Sequence, residues 1–69
     1  MDFKELESFV EIAKVKSFST AAKNLFLTQP ALSNQIAKLE KELGTALFER
    51  NNNKTEFTPA GNNIYISKL

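Results

Sequence analysis

The side chains best suited to chemistry lie between residues 28 and 41, and their types suit recognition more than catalysis. Gln29 and Asn34 carry amides that can make two hydrogen bonds to an adenine, and Ser33 can bond to a base or to a phosphate. Lys38 is long enough to reach a phosphate oxygen. The chain has no His and no Cys, so most catalytic and metal-binding interpretations lack their usual residues. This set of side chains is typical of a surface that reads DNA, provided that one helix presents them together.

A helix starting near Thr28 and stopping at Gly44 would do so. Thr28 is a candidate N-cap, Pro30 suits the first turn, where its missing N–H costs nothing, and Gly44 suits a left-handed C-terminal stop. Four aliphatic residues at i, i+4, i+7 and i+11 span about 60° of the circumference. They are Leu32, Ile36, Leu39 and Leu43. With that stripe in a core, the opposite face carries Pro30, Asn34, Lys38 and Lys41, with Ala31 and Ala37 beside them, Gln29 at the tip, and Ser33 and Gln35 at the flanks.

Two shorter patterns predict helices before this one. The first, about residues 2–15, is amphipathic with a largely acidic surface, so we expect it to face away from a phosphate backbone. The second begins after Ser17 as N-cap, and its narrow apolar stripe ends at Phe26 and Leu27, which we expect to tuck beneath the following turn. The apolar residues of the two predicted stripes are Phe3, Leu6, Phe9, Val10 and Ala13, then Phe18, Ala21, Ala22 and Leu25.

The remainder of the chain predicts a hairpin and a last helix. Residues 47–50 and 55–58 are short and β-compatible, and the Asn-rich segment 51–54 between them is turn chemistry. Thr58 and Pro59 repeat the cap-then-proline signature, and Ile64, Tyr65 and Leu69 could form an apolar side of the helix that follows. The pattern has no stop after Leu69, so we expect the chain to be a fragment of a longer protein.

Composition narrows the class of protein without deciding its function. A chain of 69 residues is one small domain at most, and its net charge of +1 does not by itself indicate nucleic acid. The N-terminus lacks the apolar core of a signal peptide, and no apolar run approaches the roughly 20 residues of a membrane span. We therefore expect a cytoplasmic protein with no metal and no cofactor.

Two other functional classes compete with DNA binding. A winged helix can use its faces to bind another protein, which predicts an exposed apolar patch and binding that salt does not weaken. The second competing class is an enzyme. The sequence offers no catalytic constellation, because Glu40 and Glu42 lie two residues apart on a helix and cannot face each other. We expect no catalysis. Two short helices, a polar helix start and an adjacent hairpin together favour a winged helix-turn-helix.

Several blocks of the sequence resemble the N-terminal domain of LysR-type transcriptional regulators. The blocks are Phe18-Ser19-Thr20-Ala21-Ala22, Thr28-Gln29-Pro30-Ala31-Leu32-Ser33, Ile36 with Leu39-Glu40, Glu42-Leu43-Gly44, Leu47-Phe48-Glu49-Arg50 and Thr58-Pro59-Ala60-Gly61. The resemblance implies a mainly α winged helix-turn-helix with three helices, a small β-hairpin wing and the start of a C-terminal linker helix. It places the domain at residues 1–58, with the helix-turn-helix at about 18–37 and the truncated linker helix at 59–69.

The resemblance also implies partners and contact residues. The helix that begins near Thr28 would lie in the major groove, and the wing would touch the backbone or minor groove. The linker helix would pair two subunits in the full-length protein, and we expect this pairing to be weak or absent in this fragment. A small-molecule effector would bind only through a C-terminal domain absent here. The implied DNA contacts are Thr28, Gln29, Pro30, Ala31, Ser33, Asn34, Gln35, Lys38, Arg50, Asn53 and Lys54. Family members very often carry Arg at the position of Asn34 and a basic residue near Asn53, so either base preference or affinity is expected to differ here.

Overall fold

Each helix begins at a residue whose side chain caps it. The computed structural model describes residues 2–51 and 54–68, with side chains described for all of these except residues 50, 51, 54 and 68. Its elements in chain order are α1 (Phe3–Val15), α2 (Phe18–Asn24), α3 (Gln29–Leu43), β1 (Phe48–Asn51), β2 (Lys54–Phe57) and α4 (Pro59–Lys68). The predicted winged helix-turn-helix architecture is confirmed. Within the described residues no helix is both long and apolar enough to cross a bilayer.

The caps account for the helix starts. Ser17 Oγ accepts the N–H of Thr20 at 3.1 Å, and Thr28 Oγ1 accepts the N–H of Ala31 at 3.2 Å. Asp2 opens α1 with a capping box, in which its carboxylate accepts the N–H of Glu5 at 2.8 Å. These bonds satisfy donors that a helix leaves unpaired at its first turn. The predicted caps at Ser17 and Thr28 are therefore confirmed, and α3 ends at Gly44 with a φ of 72°, as expected of a left-handed stop.

The core forms where the first three helices meet. Side chains from α1, α2 and α3 pack together, and Leu47 joins them from the segment before β1. The buried apolar residues are Phe9, Ile12, Phe18, Ala21, Ala22, Leu32, Ile36, Leu39 and Leu47. Burial of apolar surface on this scale is the main source of stability in a small domain.

An aromatic cluster attaches the hairpin and α4 to this core. The ring centroid of Phe9 lies 5.4 Å from that of Phe48 and 5.6 Å from that of Phe57. Tyr65 of α4 lies 5.2 Å from Phe57. Such separations are typical of favourable aromatic pairs. Tyr65 thus packs α4 on the hairpin, and Ile64 and Tyr65 are both partly buried against the core, which confirms the predicted apolar side at these two residues. Leu69 lies outside the described residues.

The prediction for the buried face of α1 was correct for Phe9, Leu6 and Val10, which pack in or against the core, but wrong for Phe3. Phe3 is 77% exposed, whereas Glu5, Ser8 and Ile12 are buried with Phe9. The buried positions follow i, i+3, i+4 and i+7 spacing, which defines one face of a helix. Phe3 precedes Glu5 by two residues, about 200° around the axis, so it points away from that face. Polar partners on α3 allow Glu5 and Ser8 to be buried, and no hydropathy pattern reveals this.

Two further apolar residues lie elsewhere than predicted. Phe26 is 95% exposed, because its φ of 58° reverses the chain at the turn between α2 and α3 and directs its side chain outward. Leu27 packs partly against the core in its place. Leu43 is 40% exposed, because it is the last residue of α3 and lies at the rim of the core. Of the predicted aliphatic stripe, Leu32, Ile36 and Leu39 are buried.

The two strands are displaced by one residue from their predicted bounds. They pair antiparallel in the register Phe48↔Phe57 and Glu49↔Glu56. Leu47 and Thr58 lie just outside the ladder, where the N–H of Thr58 donates to the carbonyl of Leu47 at 3.0 Å. Thr58 Oγ1 is instead the cap of α4, accepting the N–H of Gly61 at 3.1 Å.

Helix α4 approaches the hairpin so closely that one position excludes a side chain. A Cβ built on Gly61 would lie 2.1 Å from the carbonyl oxygen of Leu47. That oxygen belongs to the backbone and cannot rotate away. Only glycine lets the two segments meet at this distance, so Gly61 fixes where α4 leaves the hairpin.

A carboxylate of α3 fixes the start of the hairpin. Glu40 Oε2 accepts the N–H of Leu47 at 2.7 Å and lies 3.4 Å from the N–H of Phe48. Hydrogen bonds that involve an ionised group are stronger than neutral ones. The Glu40 side chain therefore ties the start of β1 directly to α3, in addition to the aromatic contacts of the hairpin.

We predict that Leu39→Ala lowers the free energy of unfolding by about 2–5 kcal/mol, because it opens a cavity in the core where Leu39 is fully buried. Leu43→Ala is the matched control on the same helix and should cost less than about 1.5 kcal/mol, since Leu43 is partly exposed. Urea denaturation followed by circular dichroism measures both. Equal losses for the two variants would contradict the assignment of the core.

We predict that Glu40→Ala lowers the free energy of unfolding by about 1–3 kcal/mol, because it removes the acceptor of the Leu47 N–H. Glu40→Gln keeps an oxygen acceptor and should retain most of the stability. Amide hydrogen exchange at Leu47 reports the bond directly and should become faster in the alanine variant. Unchanged protection of that amide in Glu40→Ala would show that the carboxylate does not hold the strand.

Candidate nucleic-acid interface

The outward face of α3 is exposed along its length. Gln29, Pro30, Asn34, Lys38 and Lys41 are all exposed. The face lies opposite the buried residues of the same helix, as the sequence predicted. A continuous polar surface of this kind, carried by the second helix of a helix-turn-helix, has the shape and the donors and acceptors needed to enter a major groove.

The start of α3 presents donors suited to an anion. Thr28 Oγ1 accepts the N–H of Ala31, and Pro30 has no N–H to offer. The N–H groups of Thr28 and Gln29 precede the first intrahelical bonds and point along the helix axis. The hydroxyl proton of Thr28 is a further donor. Such a helix start favours a phosphate oxygen.

Two members of the predicted contact set are half-buried at the edges of the face. Ala31 and Ser33 lie beside the exposed residues and are partly covered by the protein. A small or short side chain at such an edge reaches only a group that approaches the helix closely. The structure thus distinguishes a central exposed group from a flanking one, a difference that the sequence pattern did not predict.

Gln35 is held by a residue of α1. Ser8 Oγ donates a hydrogen bond to Gln35 Oε1 at 2.5 Å, and Gln35 is half-buried. Its amide oxygen is therefore engaged within the protein, whereas an amide nitrogen has two protons to donate. Any contact of Gln35 with a partner would use that nitrogen and an acceptor on the partner.

Lys38 is both exposed and paired. Its side chain is 70% exposed, and its Nζ lies 3.8 Å from Glu5 Oε2 on α1, a carboxylate whose side chain is only 5% exposed. Sequence reasoning placed the acidic surface of α1 away from any phosphate. Glu5 does not belong to that exposed surface, because it is buried and its carboxylate lies between the two helices, next to a lysine of the outward face.

The hairpin places Arg50 and Lys54 near its end, with Arg50 opposite Thr55 and Lys54 opposite Asn51 in the ladder. The side chains of Arg50 and Lys54 are outside the description, and Asn53 lies outside the described residues. Their predicted roles in the wing remain predictions.

Three residues that shape this surface escaped sequence reasoning. Glu5 and Ser8 contact α3 from α1, and Glu40 ties α3 to the hairpin. None of these contacts follows from a local spacing rule, since the partners come from another element. The side chains that the structure describes include no group of three or more His, Cys, Asp or Glu that could hold a metal ion.

The chain matches the family described as "Bacterial regulatory helix-turn-helix protein, lysR family" over residues 3–62. It is 49% identical over 61 residues to the uncharacterized HTH-type transcriptional regulator YcgK of Bacillus subtilis (strain 168). This alignment covers 88% of this chain and 19% of YcgK. Against HTH-type transcriptional regulator HdfR of Yersinia enterocolitica the match covers 22% of the relative. The chain thus spans about a fifth of the length of these relatives.

Solved structures of DNA complexes share its fold. The CbnR_DBD–DNA complex is similar with a TM-score of 0.91 and 34% identity, covering 97% of this chain and 77% of that one. The complex of BenM_DBD with catB site 1 DNA has a TM-score of 0.91 and 40% identity, covering 97% and 75% of the two chains. Together with the family match over residues 3–62, this similarity shows that the chain belongs to the LysR family of bacterial regulatory helix-turn-helix proteins.

Proposed function

We propose that this chain binds double-stranded DNA in a sequence-specific manner, with α3 in the major groove, as the operator-reading domain of a LysR-type transcriptional regulator. The observation that carries the proposal is the exposed polar face of α3, set opposite a buried aliphatic stripe. The likeness to CbnR_DBD and BenM_DBD, both solved with DNA, supports DNA binding by this fold.

The residues divide into two roles. Gln29, Ser33 and Asn34 read base edges, because amides and hydroxyls can both donate to and accept from bases. Pro30 and Ala31 contact the groove wall or a thymine methyl. Contacts to phosphate set the register of the protein on the duplex but carry no sequence information. We assign this second role to Thr28, Gln35, Lys38, Arg50, Asn53 and Lys54.

Gln35 takes its phosphate role from its bond to Ser8. Its amide oxygen accepts from Ser8, so its nitrogen is left as the donor for a partner. Phosphate oxygens offer only acceptors, so a donor at the flank of the helix suits the backbone of the duplex.

In the full-length regulator we propose that residues 59–69 begin a linker helix that pairs two subunits. Two copies of residues 1–58 would then occupy half-sites about one helical turn apart, near 34 Å. An effector would act through a separate domain, since this chain spans only about a fifth of its relatives. A cytoplasmic location follows from the same role.

We predict that Gln29→Ala weakens binding by about 1–3 kcal/mol at one base pair of the site and relaxes the preference there. The measurement is fluorescence anisotropy with a duplex selected from a random pool by the 69-residue chain, and with variants of that duplex changed at one position at a time. If Gln29→Ala discriminated between the selected duplex and its variants as well as wild type does at every position, Gln29 would not be one of the residues that read bases.

We predict that Lys38→Ala weakens binding to selected and scrambled duplexes by the same factor. It should also reduce the slope of log affinity against log salt concentration by about one. Lys14→Ala removes an equal charge from the side of α1 that faces away from the core, and should leave the slope closer to that of wild type. Binding that does not respond to salt in the wild-type chain would instead favour a protein-interaction module.

A further inference from the structure

Glu5 is a buried carboxylate beside the surface that we assign to DNA. It is 4% exposed, and a buried charge is costly unless it is paired and hydrogen-bonded. Its two oxygens have different partners. Oε1 accepts the N–H of Asp2 at 3.2 Å, and Oε2 lies 3.8 Å from Lys38 Nζ.

The two contacts of Glu5 make different chemical demands. The bond from Asp2 belongs to the capping box of α1 and requires an oxygen acceptor, which a glutamine also supplies. The contact with Lys38 requires the negative charge. The capping box therefore explains why a Glu or Gln stands at this position, but it does not explain the charge.

The pair is also asymmetric in its mobility. Glu5 is buried and held by its cap, whereas the side chain of Lys38 is 70% exposed on a flexible four-carbon stem. The bond from Ser8 to Gln35 joins the same two helices one helical turn along each, which fixes their separation. Lys38 can therefore swing out to another anion, but Glu5 cannot follow it.

We propose that Glu5 acts on DNA binding through Lys38, because its carboxylate competes with DNA phosphate for the Lys38 ammonium group. This inference rests on the proposed function. A phosphate must share Lys38 with a carboxylate that stays in place, so each duplex gains less from Lys38 than from an unpaired lysine. Glu5 thereby weakens the sequence-independent part of binding, and leaves a larger share to the groups that read bases.

The test is Glu5→Gln in the 69-residue chain, which keeps the cap acceptor and removes the charge. Glu11→Gln is the matched control, because Glu11 also lies on α1 and accepts from a neutral donor, Asn24 Nδ2, at 2.9 Å. Relative to this control, Glu5→Gln should tighten binding to selected and scrambled duplexes alike by about two- to fivefold, the range of a partly exposed ion pair. A urea melt checks that both variants fold. If Glu5→Gln does not, Glu5→Asp, which withdraws the charge from Lys38, should tighten binding to a smaller extent.

A Lys38→Gln background separates this role from general repulsion. In that background, the gain in affinity caused by Glu5→Gln should fall to the gain caused by Glu11→Gln. An equal gain in both backgrounds, or no gain over the control in wild type, would overturn the proposal. If the wild-type chain bound neither duplex, the proposed function itself would fail, whereas normal wild-type binding with an unresponsive Glu5→Gln would reject only this inference.

Discussion

The burial of one aliphatic stripe on α3 is the constraint on which the recognition surface depends. Leu32 and Leu39 are fully buried and lie seven residues apart, two turns along the same face of the helix. A helix fixed at two such points cannot rotate about its axis, so Asn34 and Lys38 must point outward. Hydrophobic packing is non-directional, however, and tolerates small shifts. The directional hydrogen bond between Ser8 and Gln35 adds the finer alignment of α1 against α3.

The hairpin and α4 take their positions from α3 through backbone contacts. Glu40 holds the N–H of Leu47, the carbonyl of Leu47 accepts the N–H of Thr58, and Thr58 caps α4. Gly61 then lets α4 meet that same carbonyl. Each contact has a backbone atom on at least one side. The hairpin and α4 are thus connected to α3 by a series of short contacts.

Sequence reasoning succeeded where local chemistry decides the outcome. The caps at Ser17 and Thr28 and the stop at Gly44 depend on neighbouring residues alone, so the order and starts of the helices could be predicted. It failed where a distant partner decides. The burial of Glu5 depends on Lys38, thirty-three positions along the chain, and the exposure of Phe26 depends on a positive φ at the turn. The exposed face of α3 could be predicted because its stripe is so narrow, but the tie of Gln35 to Ser8 could not.

The charges of this surface favour discrimination over general affinity for DNA. The whole chain carries a net charge of only +1, and the lysine of α3 at position 38 has a carboxylate for a neighbour. Attraction to phosphate is the same for every sequence, so a surface rich in unpaired cations gains affinity for all sites equally. The exposed groups that we propose to read bases are instead neutral, with amides at Gln29 and Asn34. Neutral groups contribute only where a base presents the matching donor or acceptor, and a desolvated amide without such a match costs binding energy. A weakly cationic face therefore leaves the ratio between right and wrong sites to hydrogen bonding.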